Sequence, residues 1–294
     1  MGRVTVLDGG MGRELERVGA PFRQPEWSAL AMIESPDDVR RVHESYVAAG
    51  ADVITTNAYA LVPYHIGEER FAADGRRLAA LAGQVAREVA DRTPGVRVAG
   101  CLPPVLGSYQ PWRFVRQEAR PILDVLIVEQ APFVDLWLAE TQSSIEEAGL
   151  VRDMLDVHLQ TAPLWISYTL HDELIEDEPR LRSEEAIPDA VRAAEHLGAE
   201  LVAFNCSQPE VMEPAIALAA ASTTLPIGVY ANAFEPRADD EANASVHDIR
   251  RDVTPDAYLA MAQRWVDAGA TMVGGCCGIG PEHVSALSAQ LGAS

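Results

Sequence analysis

Residues 267–278 read DAGATMVGGCCG. A glycine closes an amphipathic run, and a short β-branched, apolar run follows at once, which is the punctuation of a helix stopping and a strand starting. The strand then ends on two glycines, and two cysteines stand in the turn. Neighbouring side chains on a strand point to opposite faces, so Cys276 and Cys277 serve one site only where the strand stops and the backbone turns. Glycine tolerates the dihedral angles that such a turn demands.

The same punctuation recurs in AAGADV at 48–53 and HLGAEL at 196–201. Outward from these turns, short β-branched runs alternate with longer amphipathic ones, as in a parallel sheet with crossover helices. Strands are expected at 4–8, 52–56, 96–100, 135–140, 164–169, 201–205, 227–231 and 271–275. Helices are expected at 36–50, 75–92, 144–160, 184–198, 209–222, 254–269 and 281–292. Eight strand units in 294 residues, with no linker or low-complexity segment, fit one (β/α)8 TIM barrel domain over 1–294. A doubly wound open sheet is the alternative on pattern alone.

Composition is that of a soluble globular protein, 48% hydrophobic and 23% charged, without a run of about 18 apolar residues that would span a bilayer. The start, MGRVTVLDGG, lacks the basic flank and long apolar core of a signal peptide, so a cytoplasmic protein with reduced thiols and no membrane partner is expected. Acidic residues number 44 against 23 basic ones, a net charge of -21 that argues against a nucleic-acid partner. All 23 basic residues are arginine. Without lysine there is no Schiff base, no lysine-anchored pyridoxal phosphate and no Walker A loop.

In a barrel, active sites collect where strands end. The residues expected there are Asp8, Thr56, Asn57, Cys101, Glu140, Tyr168, Asn205, Cys206, Asn232, Cys276 and Cys277. Cys206 follows the sixth strand and the adjacent pair follows the eighth, so three thiols distant in sequence converge on one rim. Three thiolates make three corners of a tetrahedral zinc site and leave the fourth open, the arrangement of a catalytic zinc. Buried cysteines also act as small hydrophobes, and a strained disulfide of the adjacent pair is a third reading. A three-thiolate zinc suits thiol activation better than hydroxide generation, because a coordinated thiol is deprotonated at neutral pH. The implied chemistry is alkylation of a small thiol.

The motifs LDGGMGRELERVG, GADVITTNAY, AET, FNCS and GGCCGIGPEHV together resemble the homocysteine S-methyltransferase family, which includes betaine- and cobalamin-dependent homocysteine methylating domains. The resemblance runs from residue 4 to about 290, and the NC…GGCCG combination is its most specific part. It implies a (β/α)8 barrel, a zinc ion (Zn2+) held by Cys206, Cys276 and Cys277, and a homocysteine thiolate at the open position attacking an activated methyl group to give methionine. It also places Asp8 and Glu140 on the amino end of homocysteine, in accord with the affinity of paired carboxylates for an ammonium group. Gly9 and Gly10 would let backbone amides approach the substrate carboxylate, or serve simply as turn residues. Asn205 would steady the neighbouring ligand by a hydrogen bond, and Asn232 would act similarly.

The chain departs from the family's pattern on the donor side. Where relatives carry a segment like GSVGPYG after the third strand, this chain has AGCLPPVLGSYQPWRF at 99–114, and VYANAFEP replaces a YPNSGE-like stretch before an acidic segment at 237–248. Cys101 is expected to be a filler, since a fourth ligand would block the substrate thiol. Tyr109, Trp112 and Phe114, with Arg113 and Arg116 nearby, form a cage for a cationic donor or anchor a lid. The cobalamin-dependent relatives need added domains that are not expected here, which points to a small diffusing donor: S-methylmethionine, S-adenosylmethionine or a betaine. A sulfonium is preferred because a neutral thioether leaves more readily than an amine. The alternatives are another thiol or selenol acceptor, a betaine-type donor, or a non-catalytic zinc- or thiol-binding barrel, which would not need both Asp8 and Glu140.

Overall fold

The computed structural model describes residues 3–235 and 248–292; the acidic segment 237–248 lies outside them except for Asp248. Its frame is one eight-stranded parallel sheet in the order β1-β8-β7-β6-β5-β4-β3-β2. The strands are β1 (Thr5–Val6), β2 (Val53–Thr55), β3 (Arg97–Leu102), β4 (Leu136–Gln142), β5 (Leu164–Tyr168), β6 (Leu201–Asn205), β7 (Ile227–Tyr230) and β8 (Ala270–Val273). The two ends of the sheet meet through a parallel bridge between Leu7 and Val53, with the Asp52 amide donating to the Val6 carbonyl at 2.7 Å. The (β/α)8 barrel read from the sequence is thus the observed fold, and an open doubly wound sheet is not.

Alternation along the strands sorts the core into two layers. Leu7, Val53, Ala99, Leu136, Leu138, Trp165, Leu201, Ala203, Tyr230 and Met272 fill the barrel interior. Their neighbours Val6, Ile54, Val98, Trp137, Ile166, Val202 and Val273 face the helices. Carried one step further along β3, β4 and β6, the inward parity delivers Cys101, Glu140 and Asn205 to the top of the barrel.

The three glycine stops all have left-handed backbone, with φ of 96° at Gly50, 72° at Gly198 and 122° at Gly269. The Ala51 and Ala199 amides then reach back to the Tyr46 and Ala194 carbonyls, closing the helix ends as the punctuation implies. One crossover helix, Arg116–Gln130, is absent from the periodicity reading. Pro121 inside it removes a backbone donor and hides the pattern, yet its face of Ile122, Leu123, Leu126 and Ile127 is buried on the barrel.

Candidate active site

The end of β8 shows how adjacent cysteines can share one site. Gly275 donates to the Asp8 carbonyl at 2.9 Å and Cys276 to the Ala231 carbonyl at 3.0 Å, after which the Ile279 amide closes a turn onto the Cys276 carbonyl. Gly278 completes that turn with φ of 84°. The backbone reversal brings both thiols to the side where Cys206 leaves β6, and the three sulfurs lie within 4.8 Å of one another. Cys206 and Cys277 sulfurs are 3.9 Å apart. Tetrahedral zinc with Zn–S bonds of about 2.3 Å requires sulfurs about 3.8 Å apart, so the spacing fits such an ion. Hydrogen bonding to Cys206 and Cys277, together with burial, pushes the Cys276 thiol well above its usual range. Ionising all three thiols in this volume would need a cation to offset their mutual repulsion. Thiolates are soft ligands, so the set would suit a soft or borderline cation, zinc among them, and not a hard one. Cys101 stays out of it and donates to Glu140 Oε2 at 3.2 Å.

Asp8 and Glu140 stand on the wall of the same cavity, which has a volume of about 140 Å³. The Thr55 amide donates to Asp8 at 2.7 Å, and burial still pushes the Asp8 carboxyl well above the usual range, with the charge of Glu140 adding to the rise. Glu140 sits in a bulge: β4 and β5 pair at Ala139 and again at Gln142, one residue out of step, and Thr141 has φ of 60°. Such a bulge re-aims a side chain. Burial pushes Glu140 up to about 7 against the pull of the Cys101 hydrogen bond. Two carboxyl groups withdrawn from water and facing one cavity form a receptor for a cation, because a bound positive charge restores what burial removed.

Gly9 and Gly10 line the cavity, but their surroundings explain the residue type differently from a carboxylate cradle. A Cβ on Gly10 would lie 2.5 Å from the Cys276 carbonyl oxygen, and the Gly10 amide is committed to the Ile279 carbonyl at 3.0 Å. The glycines let the β1 turn lie directly on the cysteine turn. Asn205 is buried below the cavity wall: its side chain accepts from the Thr141 amide at 3.2 Å and from Ser167 Oγ at 2.7 Å, and donates to Thr141 Oγ1 at 2.8 Å. It thereby ties the Glu140 bulge to Cys206, whose own φ is 52°. Left-handed backbone at a non-glycine costs on the order of 1–3 kcal/mol, so this cross-link holds two strained residues in place. Asn232 is also buried, with its side-chain oxygen on the Phe234 amide.

Of the three aromatic residues named from the loop after β3, only Tyr109 lines the cavity. Trp112 is 66% exposed, and Phe114 packs on the outer core. The loop's short turn Pro111–Arg113 carries the Trp112 ring outward. Trp27, Tyr59 and Phe234 line the cavity instead, together with Arg13, whose guanidinium lies 5.9 Å from the Phe234 ring centre. Tyr59 follows β2 within GADVITTNAY, so its position just past a strand end is a signal that could have found it. Trp27 sits in the long first loop, where periodicity carries no signal.

A family model described as homocysteine S-methyltransferase matches residues 5–291. Homocysteine S-methyltransferase 1 of Arabidopsis thaliana is 29% identical, across 99% of this chain and 94% of its own length. A selenocysteine methyltransferase of Astragalus bisulcatus is 25% identical, across 97% and 92%. The homocysteine methyltransferase MmuM from Escherichia coli, solved in a metallated form, superposes with a TM-score of 0.78 at 24% identity over 98% of this chain and 96% of its own, a likeness of fold.

Proposed function

The chain belongs to the homocysteine S-methyltransferase family and is an S-methyltransferase, and from that premise we propose that it methylates homocysteine with a small sulfonium donor at a zinc site made by Cys206, Cys276 and Cys277. The observation that carries this reading is the convergence of three sulfurs within 4.8 Å of one another on a cavity whose wall also holds Asp8 and Glu140. Zinc bound by the three thiolates supplies the acidity that makes a thiol a thiolate at neutral pH.

The remaining work belongs to the chain. Asp8, set by the Thr55 amide, and Glu140, aimed by its bulge, hold the ammonium group of homocysteine, which fixes the amino acid with its sulfur toward the cysteines. The aromatic wall of Trp27, Tyr59, Tyr109 and Phe234 favours a cationic donor over its faces, and Arg13, which also bonds Glu16 at 2.6 Å, supplies a cation for the donor's carboxylate. This replaces Trp112 and Phe114 as the donor surface. S-methylmethionine is the preferred donor: the acceptor sulfur takes the methyl group, the donor's C–S bond breaks, and a neutral thioether departs. Cysteine ligation of this kind requires reduced thiols, which suits a cytoplasmic enzyme.

Two measurements test the reading. Protein purified without added metal is expected to carry about one zinc per chain in the wild type and much less in Cys277→Ser; equal content in both would sink the metal assignment. A panel of sulfonium and betaine donors, with homocysteine and selenocysteine as acceptors, is expected to give methionine from homocysteine and a sulfonium by mass spectrometry. Product only from selenocysteine, or only with a betaine, would overturn the acceptor or the donor.

A further inference from the structure

Behind Cys206 lies a stack of side chains from which the reaction as described uses only the ring of Tyr109, and neither its hydroxyl nor the charges packed against it. Tyr109 is buried, with left-handed backbone at φ of 65°, and its hydroxyl donates to Cys206 Sγ at 3.0 Å. The Arg182 guanidinium sits 5.3 Å from the centre of the Tyr109 ring. Arg182 in turn pairs with Asp172 at 3.0 Å, and the two side chains are only 4% and 6% exposed. Tyr109 comes from the loop after β3, whereas Arg182 and Asp172 come from the loop after β5, so two excursions of the chain meet at the tyrosine that reaches the Cys206 sulfur.

A buried ion pair is weak evidence of stabilisation, since desolvation of both charges offsets their attraction. Here the pair has a further consequence: it holds a cation against the ring of the tyrosine that donates to Cys206. A cation on the ring face draws electron density from the ring and strengthens its hydroxyl as a donor. A stronger donor at Cys206 takes charge from that sulfur. Three thiolates on a divalent cation already leave a net negative site, and the substrate thiolate must still join it. We propose that Tyr109, polarised by Arg182 and Asp172, is a positioning residue that draws charge from Cys206, so that the metal keeps its protein ligands and still accepts a fourth sulfur.

The test uses the full chain loaded with zinc or with cobalt(II), whose sulfur-to-metal charge-transfer band reports the thiolates directly. Tyr109→Phe keeps the ring and removes the hydroxyl. It is expected to lose about tenfold in zinc affinity in competition with a chelator, in line with the loss of other partners of metal ligands. The cobalt band is expected to move to longer wavelength. Asp172→Asn with Arg182→Met removes the ion pair without leaving a lone buried charge. That double variant is expected to shift both readouts in the same direction by less, about threefold in affinity. In the Tyr109→Phe background it is expected to add nothing.

A folded Tyr109→Phe with wild-type affinity and an unshifted band would overturn the assignment. So would an effect of the double variant that survives in full without the hydroxyl. Should Tyr109→Phe fail to fold, an unshifted band in the double variant alone would overturn it. The proposal rests on the metal reading of the three cysteines: wild-type protein that takes up neither metal fails both, whereas a wild type that binds metal beside an unchanged Tyr109→Phe fails the tyrosine assignment alone.

Discussion

The two halves of the cavity are built in different ways. The half that holds the thiols and carboxylates is made of strand ends clamped to one another: Gly10 lies on the Cys276 carbonyl, Asn205 bonds to Thr141, and the Asp8 carbonyl receives Gly275. The other half is made of loops, in which Trp27, Tyr59, Tyr109 and Phe234 arrive from four separate connections. A strand end offers little freedom, because the ladder and its parity have already chosen the direction of each side chain. A loop offers much more, and its residues reach the cavity only where distant contacts hold them. The contrast predicts that substitutions on the clamped side act on acceptor binding or on the frame itself, while those on the loop side act on the donor, except at Tyr109, whose hydroxyl also reaches Cys206.

The largest effect should come from Glu140→Gln, which keeps the shape of the bulge and removes the charge. A charge-assisted hydrogen bond is worth about 1.5–3 kcal/mol, so kcat/KM for homocysteine is expected to fall roughly 10- to 100-fold, carried by KM, with zinc content unchanged. An unchanged KM for homocysteine would remove Glu140 from the acceptor side. Next is Gly10→Ala. Its Cβ would press on backbone at 2.5 Å, so the turn must shift, at an expected cost of about 1–3 kcal/mol. Thermal unfolding would show this as a lowered Tm, and zinc should be lost faster to a chelator; a wild-type Tm would mean that the two turns are not clamped. The smallest effects separate two tryptophans. Trp27→Ala should raise the donor KM several-fold, consistent with a cation–aromatic contact of about 0.5–2 kcal/mol. Trp112→Ala should leave it and the stability within about 0.5 kcal/mol of wild type. Steady-state kinetics with saturating homocysteine decides this, and a donor KM that responds to Trp112 rather than Trp27 would return the donor surface to the exposed ring.

The same contrast separates what is legible in the sequence from what is not. The eight strands are readable because period-two alternation and glycine stops are local signals, and Cys206, Cys276, Cys277, Asp8 and Glu140 follow once strand ends are located. The helix Arg116–Gln130 is not, because Pro121 interrupts the pattern and only packing against the barrel restores it. Tyr109, Trp112 and Phe114 form a group in the sequence because they lie close along the chain. The turn Pro111–Arg113 separates them in space, and nothing in their spacing forecasts that.

From the sequence alone come the barrel, the family resemblance and the set of thiols, since each depends on periodicity or on motifs a few residues long. The tertiary structure alone decides that the sulfurs lie 4.8 Å or less apart, that the Glu140 bulge is tied to Cys206 through Asn205, and that Arg182 reaches Tyr109 over Cys206. These are meetings of residues separated by tens of positions in the chain. Local propensity is silent about them, because the free energy that selects each meeting belongs to the packed barrel and not to any one segment.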